Sequence, residues 1–435
     1  MPTPIPGPKG WPLLGVLPEA SKDVLGYSVG LLKYGDVVRV PLPVGDTVYL
    51  FHPDHRAHVL IGNHKNYPKG RRAERAGLLL GRGLLLSEGE DWRRQRTRMA
   101  PSFAPRHVLG FAPEMSGQVQ ALLATFGPSE QRDVVADMMS LTLKIAMRVL
   151  FGAAPAQDVA TITHSFEEII AYFSSVTGGT FPLPLWMPTA INRRFKKAMG
   201  DMNAIITRMI AERRAATDLG QDLLGLLLAG KDDDGTAMDD ALVADEIRGL
   251  LLAGHETTAL ALVYALWLLA GHPEQQEAVA AEAAAAPLTA TTPLPRAEAA
   301  LKEAMRLYPP VPFTLREART DDTLGDYTIP AGTAIGLFMY VFHRDPRYFP
   351  EPERFWPERW TPAYEASLPR CAYLPFGAGP RVCIGMSMAL LEGRLLLAEI
   401  LRRTRVTRVD PALPPLGLTI TLRPNGPVRL RFDAR

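Results

Sequence analysis

Residues 376–385 read FGAGPRVCIG. The stretch holds one of only two cysteines in 435 residues, with glycines on both sides and an arginine two positions ahead of it. A strong helical pattern, MSMALLEGRLLLAEILRR, follows at once over residues 386–403. Glycines here permit close backbone approach and positive φ just before that helix. A sulfur in this position faces backbone N–H groups and the positive end of a helix dipole, which favour thiolate, the metal-ligating form. A buried structural cysteine is the default for a lone cysteine. A nucleophile would need a general base, and the local sequence offers no histidine. The glycine spacing has no evident purpose in a plain core, so a cofactor thiolate at Cys383 is favoured on this segment. Arg381 is placed to meet an anionic ligand on the same face.

The rest of the chain narrows the class. With 47% hydrophobic and 22% charged residues the composition is that of an ordinary globular protein with a large core. A formal net charge of +2 gives no reason to expect nucleic acid as a partner. Cys371 and Cys383 build no disulfide framework and no zinc cluster, which points to a reducing compartment and so to the cytoplasm. The N-terminus, MPTPIPGPKGWPLLG, has neither a signal sequence nor an anchor helix, and its prolines predict an extended surface segment. The one membrane-like stretch, residues 250–270, is interrupted by His255, Glu256, Thr257 and Thr258, and reads as a buried helix.

Residues 36–53 predict a β-hairpin, and helical patterns dominate from about residue 54 to 310. Within them, residues 239–270 predict one long helix capped near Asp239 and ended by Gly271-His272-Pro273. KDDDGT (residues 231–236) reads as a solvated turn leading into it. Short strands are expected between residues 313 and 340, and a terminal hairpin over 416–432. The expected fold is mainly α with a smaller β-rich part (α+β), interleaved as a single domain over residues 1–435.

AGHETT (residues 253–258) lies midway along the long helix. Gly254 loosens the local ladder, and Thr257 can bond a carbonyl one turn back. A carboxylate in this apolar run costs free energy unless it is paired or used. Further on, Glu303 and Arg306 share one helical face, as do Trp92 and Arg96. On spacing alone, the first pair reads as a surface ion pair and the second as part of an exposed basic helix.

FGAGPRVCIG resembles the FGxGxRxCxG haem-binding loop of the cytochrome P-450 family at every specified position. The resemblance implies the triangular fold of that family, with haem b between the long central helix and the cysteine-loop helix. It makes Cys383 the axial ligand of iron, sets Phe376, Gly377 and Gly385 around the sulfur, and pairs Arg381 with a propionate. AGHETT is similar to the family's oxygen-activation motif, which implies that Ala253 lies at the haem and that Glu256 and Thr257 form an acid–alcohol pair guiding protons. KEAMR resembles the ExxR helix, whose third member in FWPERW would be Arg359, a structural network with Glu303 and Arg306. WxxxR and FTLREA imply propionate contacts from Trp92, Arg96 and Arg316. Arg93, Arg94 and Arg98 are then candidates for a basic docking patch.

The implied activity is monooxygenation: one atom of O₂ enters a C–H bond of a lipophilic substrate. Electrons are expected from a separate ferredoxin and ferredoxin reductase fed by NAD(P)H, since no reductase domain follows the terminal hairpin. Residues 76–86, Ala253, Thr257, residues 311–315 and the LGLTI stretch are expected to line an apolar pocket, with residues 181–187 at its entrance. RGLLLSEGEDW and CAYLPFGAGPRVCIGMSMALLEG are also similar to a soluble bacterial carotenoid-ring hydroxylase branch of the family. That favours a carotenoid or terpenoid, with fatty acid hydroxylation as the alternative. A peroxide-using or merely haem-binding member is the rival reading.

Overall fold

Asp239 opens a 31-residue helix, Asp240–Ala270, by accepting the Leu242 N–H on its carboxylate at 2.7 Å. At its other end Arg408 Nε donates to the Trp267 carbonyl at 2.9 Å, satisfying one of the orphan acceptors of the last turn. The computed structural model describes residues 3–71, 77–152, 155–177, 184–231 and 235–435. Residues 232–234 of the KDDDGT turn and 181–183 of the expected pocket entrance lie outside the described residues. The chain forms two compact units, Met1–Arg75 with Ala299–Met386 and Ala76–Glu298 with Ser387–Arg435.

The first unit is built on a four-stranded sheet. Val37–Val40 and Thr47–Leu50 form the expected hairpin, with Val37 opposite Leu50. Thr47–Leu50 then pairs in parallel with Ala334–Leu337, whose other edge takes Thr314–Glu317 antiparallel. A parallel pair needs a crossover; here its two strands come from opposite ends of the sequence, which is why the β part is interleaved with the helices. The proline-rich start runs extended along this sheet, and the Pro6 carbonyl accepts the Arg39 N–H at 2.8 Å.

In the second unit the long helix packs on Val134–Phe151, and nearly every residue from Leu251 to Ala270 is buried. It is also the one helix among the described residues long and apolar enough to cross a membrane, with 72% of its most apolar window buried inside the protein.

The terminal hairpin is a correction. Leu422–Pro424 pairs with Leu416–Leu418, but Arg429–Ala434 leaves to pair with both Ser129–Asp133 and Thr404–Arg408. Asn425-Gly426 looks like a hairpin turn, yet Pro424 and Pro427 flank it and lack the N–H donors a ladder through it would need. Ser129–Asp133 was itself hidden inside the expected helical region, because its sequence, SEQRD, carries no apolar alternation.

Candidate active site

The cysteine loop lies between a short 3₁₀ turn, Gly379–Arg381, and the helix Met386–Arg403. Gly377 and Gly379 both take φ of +70°, the conformation the sequence required of glycine. A Cβ at Gly379 would sit 2.0 Å from the Leu60 carbonyl oxygen, so no side chain fits there. The Cys383 N–H donates to the Phe376 carbonyl at 2.9 Å, closing the loop on itself. Cys383 is exposed, whereas Cys371 is buried. A Cβ at Gly385 would lie 4.0 Å from the Cys383 sulfur, an ordinary contact distance.

The middle of the long helix is also open. Ala253 and Gly254 are exposed although the residues on both sides are buried, and a Cβ at Gly254 would meet nothing within 4 Å. Thr257 Oγ1 donates to the Ala253 carbonyl at 2.6 Å, the one-turn back-bond its sequence position predicted. Glu256 is buried and has the partner its burial demanded. Thr421 Oγ1 donates to its carboxylate at 2.9 Å, and Arg423 stands 3.8 Å away. Burial raises its pKa, while Arg423 and the Thr421 hydrogen bond pull the other way. Thr421 and Arg423 were not foreseen; the only signal for them was the need of Glu256 itself. His255 is a core residue. Its Nδ1 lies 2.7 Å from the Leu251 carbonyl, its ring packs on Phe166, and burial lowers its pKa to about 4, so it stays neutral.

Glu303 and Arg306 are not a surface pair. Both side chains are fully buried, and Arg359 joins them. The Glu303 carboxylate accepts from Arg306 Nε and Nη2, the Trp356 N–H, Arg359 Nε and Trp360 Nε1, at 2.8 to 3.2 Å. Arg306 Nη1 also binds the His343 and Pro352 carbonyls, which leaves the cluster fully satisfied. The predicted triad is thus assembled, and two tryptophan donors complete it.

Trp92 and Arg96 lie one turn apart on Gly89–Met99, both half-buried. Arg316 is buried and donates to Thr314 Oγ1 at 3.1 Å and the Leu315 carbonyl at 2.7 Å. In the expected docking patch Arg93 pairs with Glu90, and Arg98 donates to the Thr236 carbonyl at 2.7 Å. Both are therefore engaged within the protein. Of the residues expected to line a pocket, Leu79 and Leu80 are core, while Val311, Phe313, Leu315 and Leu418 are half-buried and Leu85 and Ile420 exposed.

This donor set fits haem. A single exposed thiol in a glycine-bounded loop suits an iron whose other ligands come from a macrocycle. Among the described residues no group of three or more His, Cys, Asp or Glu offers a cage for a bare ion. An open face on an otherwise buried helix offers room for a flat group.

The chain belongs to the cytochrome P450 family, whose model matches residues 5–431. It is 34% identical to cyclooctatin synthase from Streptomyces melanosporofaciens, over 98% of this chain and 95% of that protein. Identity is also 34% to cyclooctat-9-en-7-ol 5-monooxygenase from the same organism, over 92% of this chain and 89% of that one. Among solved structures, the P450DA heme domain superposes with a TM-score of 0.90 over 100% of this chain and 98% of that one, at 24% identity, a likeness of fold. Cyanobacterial CYP120A1 with retinoic acid bound gives 0.88 over 99% and 100% of the two chains at 26% identity. The mainly helical fold with small sheets is therefore the P450 fold. The protein is a haem-containing monooxygenase that uses O₂, electrons from NAD(P)H through a redox partner, and a small-molecule substrate.

Proposed function

We propose that Cys383 holds the iron of haem b as thiolate and that the enzyme hydroxylates a lipophilic substrate of the terpenoid or carotenoid class. The observation that carries the first part is the exposed thiol closed into its loop by the Cys383 N–H bond to Phe376, beside Gly379, which admits no side chain. When bound, haem supplies oxygen activation, which the thiolate ligand favours.

The remaining roles belong to the chain's own groups. Arg381, Trp92, Arg96 and Arg316 would hold the haem's carboxylates, and Phe376, Gly377, Gly385 and Ala253 would leave room for the macrocycle. Thr257 keeps its hydroxyl oxygen free to accept a hydrogen bond, because its proton is spent on the Ala253 carbonyl. It would thereby hold a water in place. Glu256, buried and biased toward its protonated form, is the reserve of protons behind it. Glu303, Arg306 and Arg359 are structural. The P450 domain takes in residues 1–435. Electrons arrive from a separate ferredoxin system, and the protein works in the cytoplasm.

Partly open apolar side chains, Val311, Phe313 and Leu315 in one unit and Leu418 and Ile420 in the other, support a lipophilic substrate. The names of two relatives, a cyclooctat-9-en-7-ol monooxygenase and a retinoic acid complex, point to ring-bearing alkenes rather than straight chains. The test has two parts. The reduced, CO-bound holoprotein should show the Soret band of thiolate ligation, and Cys383→Ser should lose it. Cyclic terpenoid alcohols or carotenoids should then shift the spin state. A response to straight-chain fatty acids alone would transfer the assignment to fatty acid hydroxylation.

A further inference from the structure

Three residues near Cys383 have left-handed backbone: Cys371 at φ +66° and Gly377 and Gly379 at +70°. For the glycines this is no burden, but Cys371 carries a Cβ that this conformation crowds. Its surroundings must therefore hold it there. The group that reaches it is Arg56, whose Nε donates to the Cys371 carbonyl at 3.0 Å. Arg56 Nη1 donates to the Phe51 carbonyl at 2.6 Å, and its guanidinium lies 3.9 Å from the centre of the Phe342 ring.

Arg56 is fully buried, and among the described residues no carboxylate forms an ion pair with it. Burial lowers its pKa to about 10, so it keeps its charge at neutral pH. A buried guanidinium without an acid is costly. Here Nε and Nη1 are used on two backbone carbonyls, one of them at the strained corner, while Nη2 has no hydrogen-bond partner among the described residues.

Between that corner and Cys383 the segment is tied by further hydrogen bonds. The Leu374 N–H donates to His343 Nε2 at 2.9 Å, and the Leu374 carbonyl accepts the Gly377 N–H at 3.2 Å. The Phe376 carbonyl accepts the Cys383 N–H at 2.9 Å. The segment that carries Arg56 touches the loop a second time, where the Leu60 carbonyl occupies the space beside Gly379.

We propose that Arg56 is a positioning residue for the haem ligand: by clamping the left-handed corner at Cys371 it fixes the path of residues 371–383 and the place of the Cys383 sulfur. The proposal rests on the assignment of Cys383 as the ligand. It gives Cys371 a role as well, that of a strained corner which needs a clamp.

The experiment compares holoproteins. Arg56→Lys keeps the charge but loses the planar fork that binds both carbonyls. It should convert part of the reduced CO complex to the form without thiolate ligation. It should also speed amide exchange over residues 371–383 by roughly tenfold, the scale of a released strained corner. Cys371→Gly added to Arg56→Lys should restore both readouts, because glycine takes this φ without a clamp.

Should Arg56→Lys alone not accumulate as holoprotein, the double variant should. An Arg56→Lys protein that melts earlier but keeps the full thiolate band would show Arg56 to be only a stabilising residue and overturn the proposal. So would a double variant no better than Arg56→Lys. A wild-type protein without the thiolate band would instead overturn the assignment of Cys383, which separates the two failures.

Discussion

The hydroxyl of Thr421 donates to the carboxylate of Glu256 at 2.9 Å, so the acid of the long helix is held by the hairpin near the end of the chain. Burial dominates the electrostatics of Glu256 and raises its pKa. An acid protonated more readily when folded loses stabilising free energy as pH rises from its unfolded value, and the loss stops once pH passes its folded one. Thr421→Val removes a bond to the charged form. It should cost about 1–2 kcal/mol and extend the pH-dependent loss to higher pH. Glu256→Gln should remove that part of the slope. Unfolding followed across pH checks both, and superimposable profiles for wild type and Thr421→Val would sink the idea.

Much of this site could be read in the sequence because its backbone demands are local. Gly377 and Gly379 announce their positive φ, Asp239 announces a cap, and Gly254 with Thr257 announces a loosened helix. What stayed hidden was the identity of partners far along the chain. Glu256 required a partner, but nothing in TITLRPN singles out Thr421 and Arg423. SEQRD became a strand because Arg429–Ala434 and its neighbours needed an edge, a tertiary cause without a local signature. Arg56 was missed for the same reason, since one arginine in HPDHRAHV looks like any surface charge until its burial is known.

Glu392, on the helix after the cysteine loop, is a second buried acid. Its Oε1 has no hydrogen-bond partner among the described residues, and burial raises its pKa to about 8. The folded protein therefore holds a proton here that the unfolded chain releases near the ordinary value of 4.5. Between those two values stability should fall by about 1.4 kcal/mol per pH unit from this group alone. Glu392→Gln should flatten that stretch of the profile and melt later than wild type at pH 8. A variant with an unchanged slope would show that Glu392 is charged in the folded state.

The Glu303 cluster makes a different prediction, because there every polar group is satisfied. Glu303→Gln keeps the shape but leaves Arg306 and Arg359 buried with no carboxylate between them. Breaking such a pair costs roughly 3–5 kcal/mol, a large share of a typical domain's stability. The expected result is a sharp fall in the yield of folded, haem-loaded protein, measured as the haem-to-protein absorbance ratio. Arg359→Lys should do less harm than Glu303→Gln, since it keeps the charge and loses only the fork geometry. The reverse order would mean that shape, rather than charge, dominates the cluster.

Thr257 sits at the opening of the long helix, yet its side chain contributes little to that helix. Its hydroxyl bonds the Ala253 carbonyl one turn back, an arrangement that slightly weakens helical geometry, so Thr257→Ala should leave the melting temperature nearly unchanged. The lost oxygen is the acceptor through which Thr257 would hold a proton-bearing partner in place. Proton delivery assisted by a positioned group is typically worth 10²–10⁴ in rate, so its loss should let reduced oxygen escape before it reaches substrate. NAD(P)H consumption should then continue while product per NAD(P)H falls by roughly tenfold or more. Thr257→Ser, which keeps the hydroxyl, should restore most of the coupling. If coupling in Thr257→Ala matched that of wild type, oxygen activation would not pass through this hydroxyl, and the peroxide-using reading of the family resemblance would become the better one. Product formation from hydrogen peroxide without a reductase would then be the measurement to make.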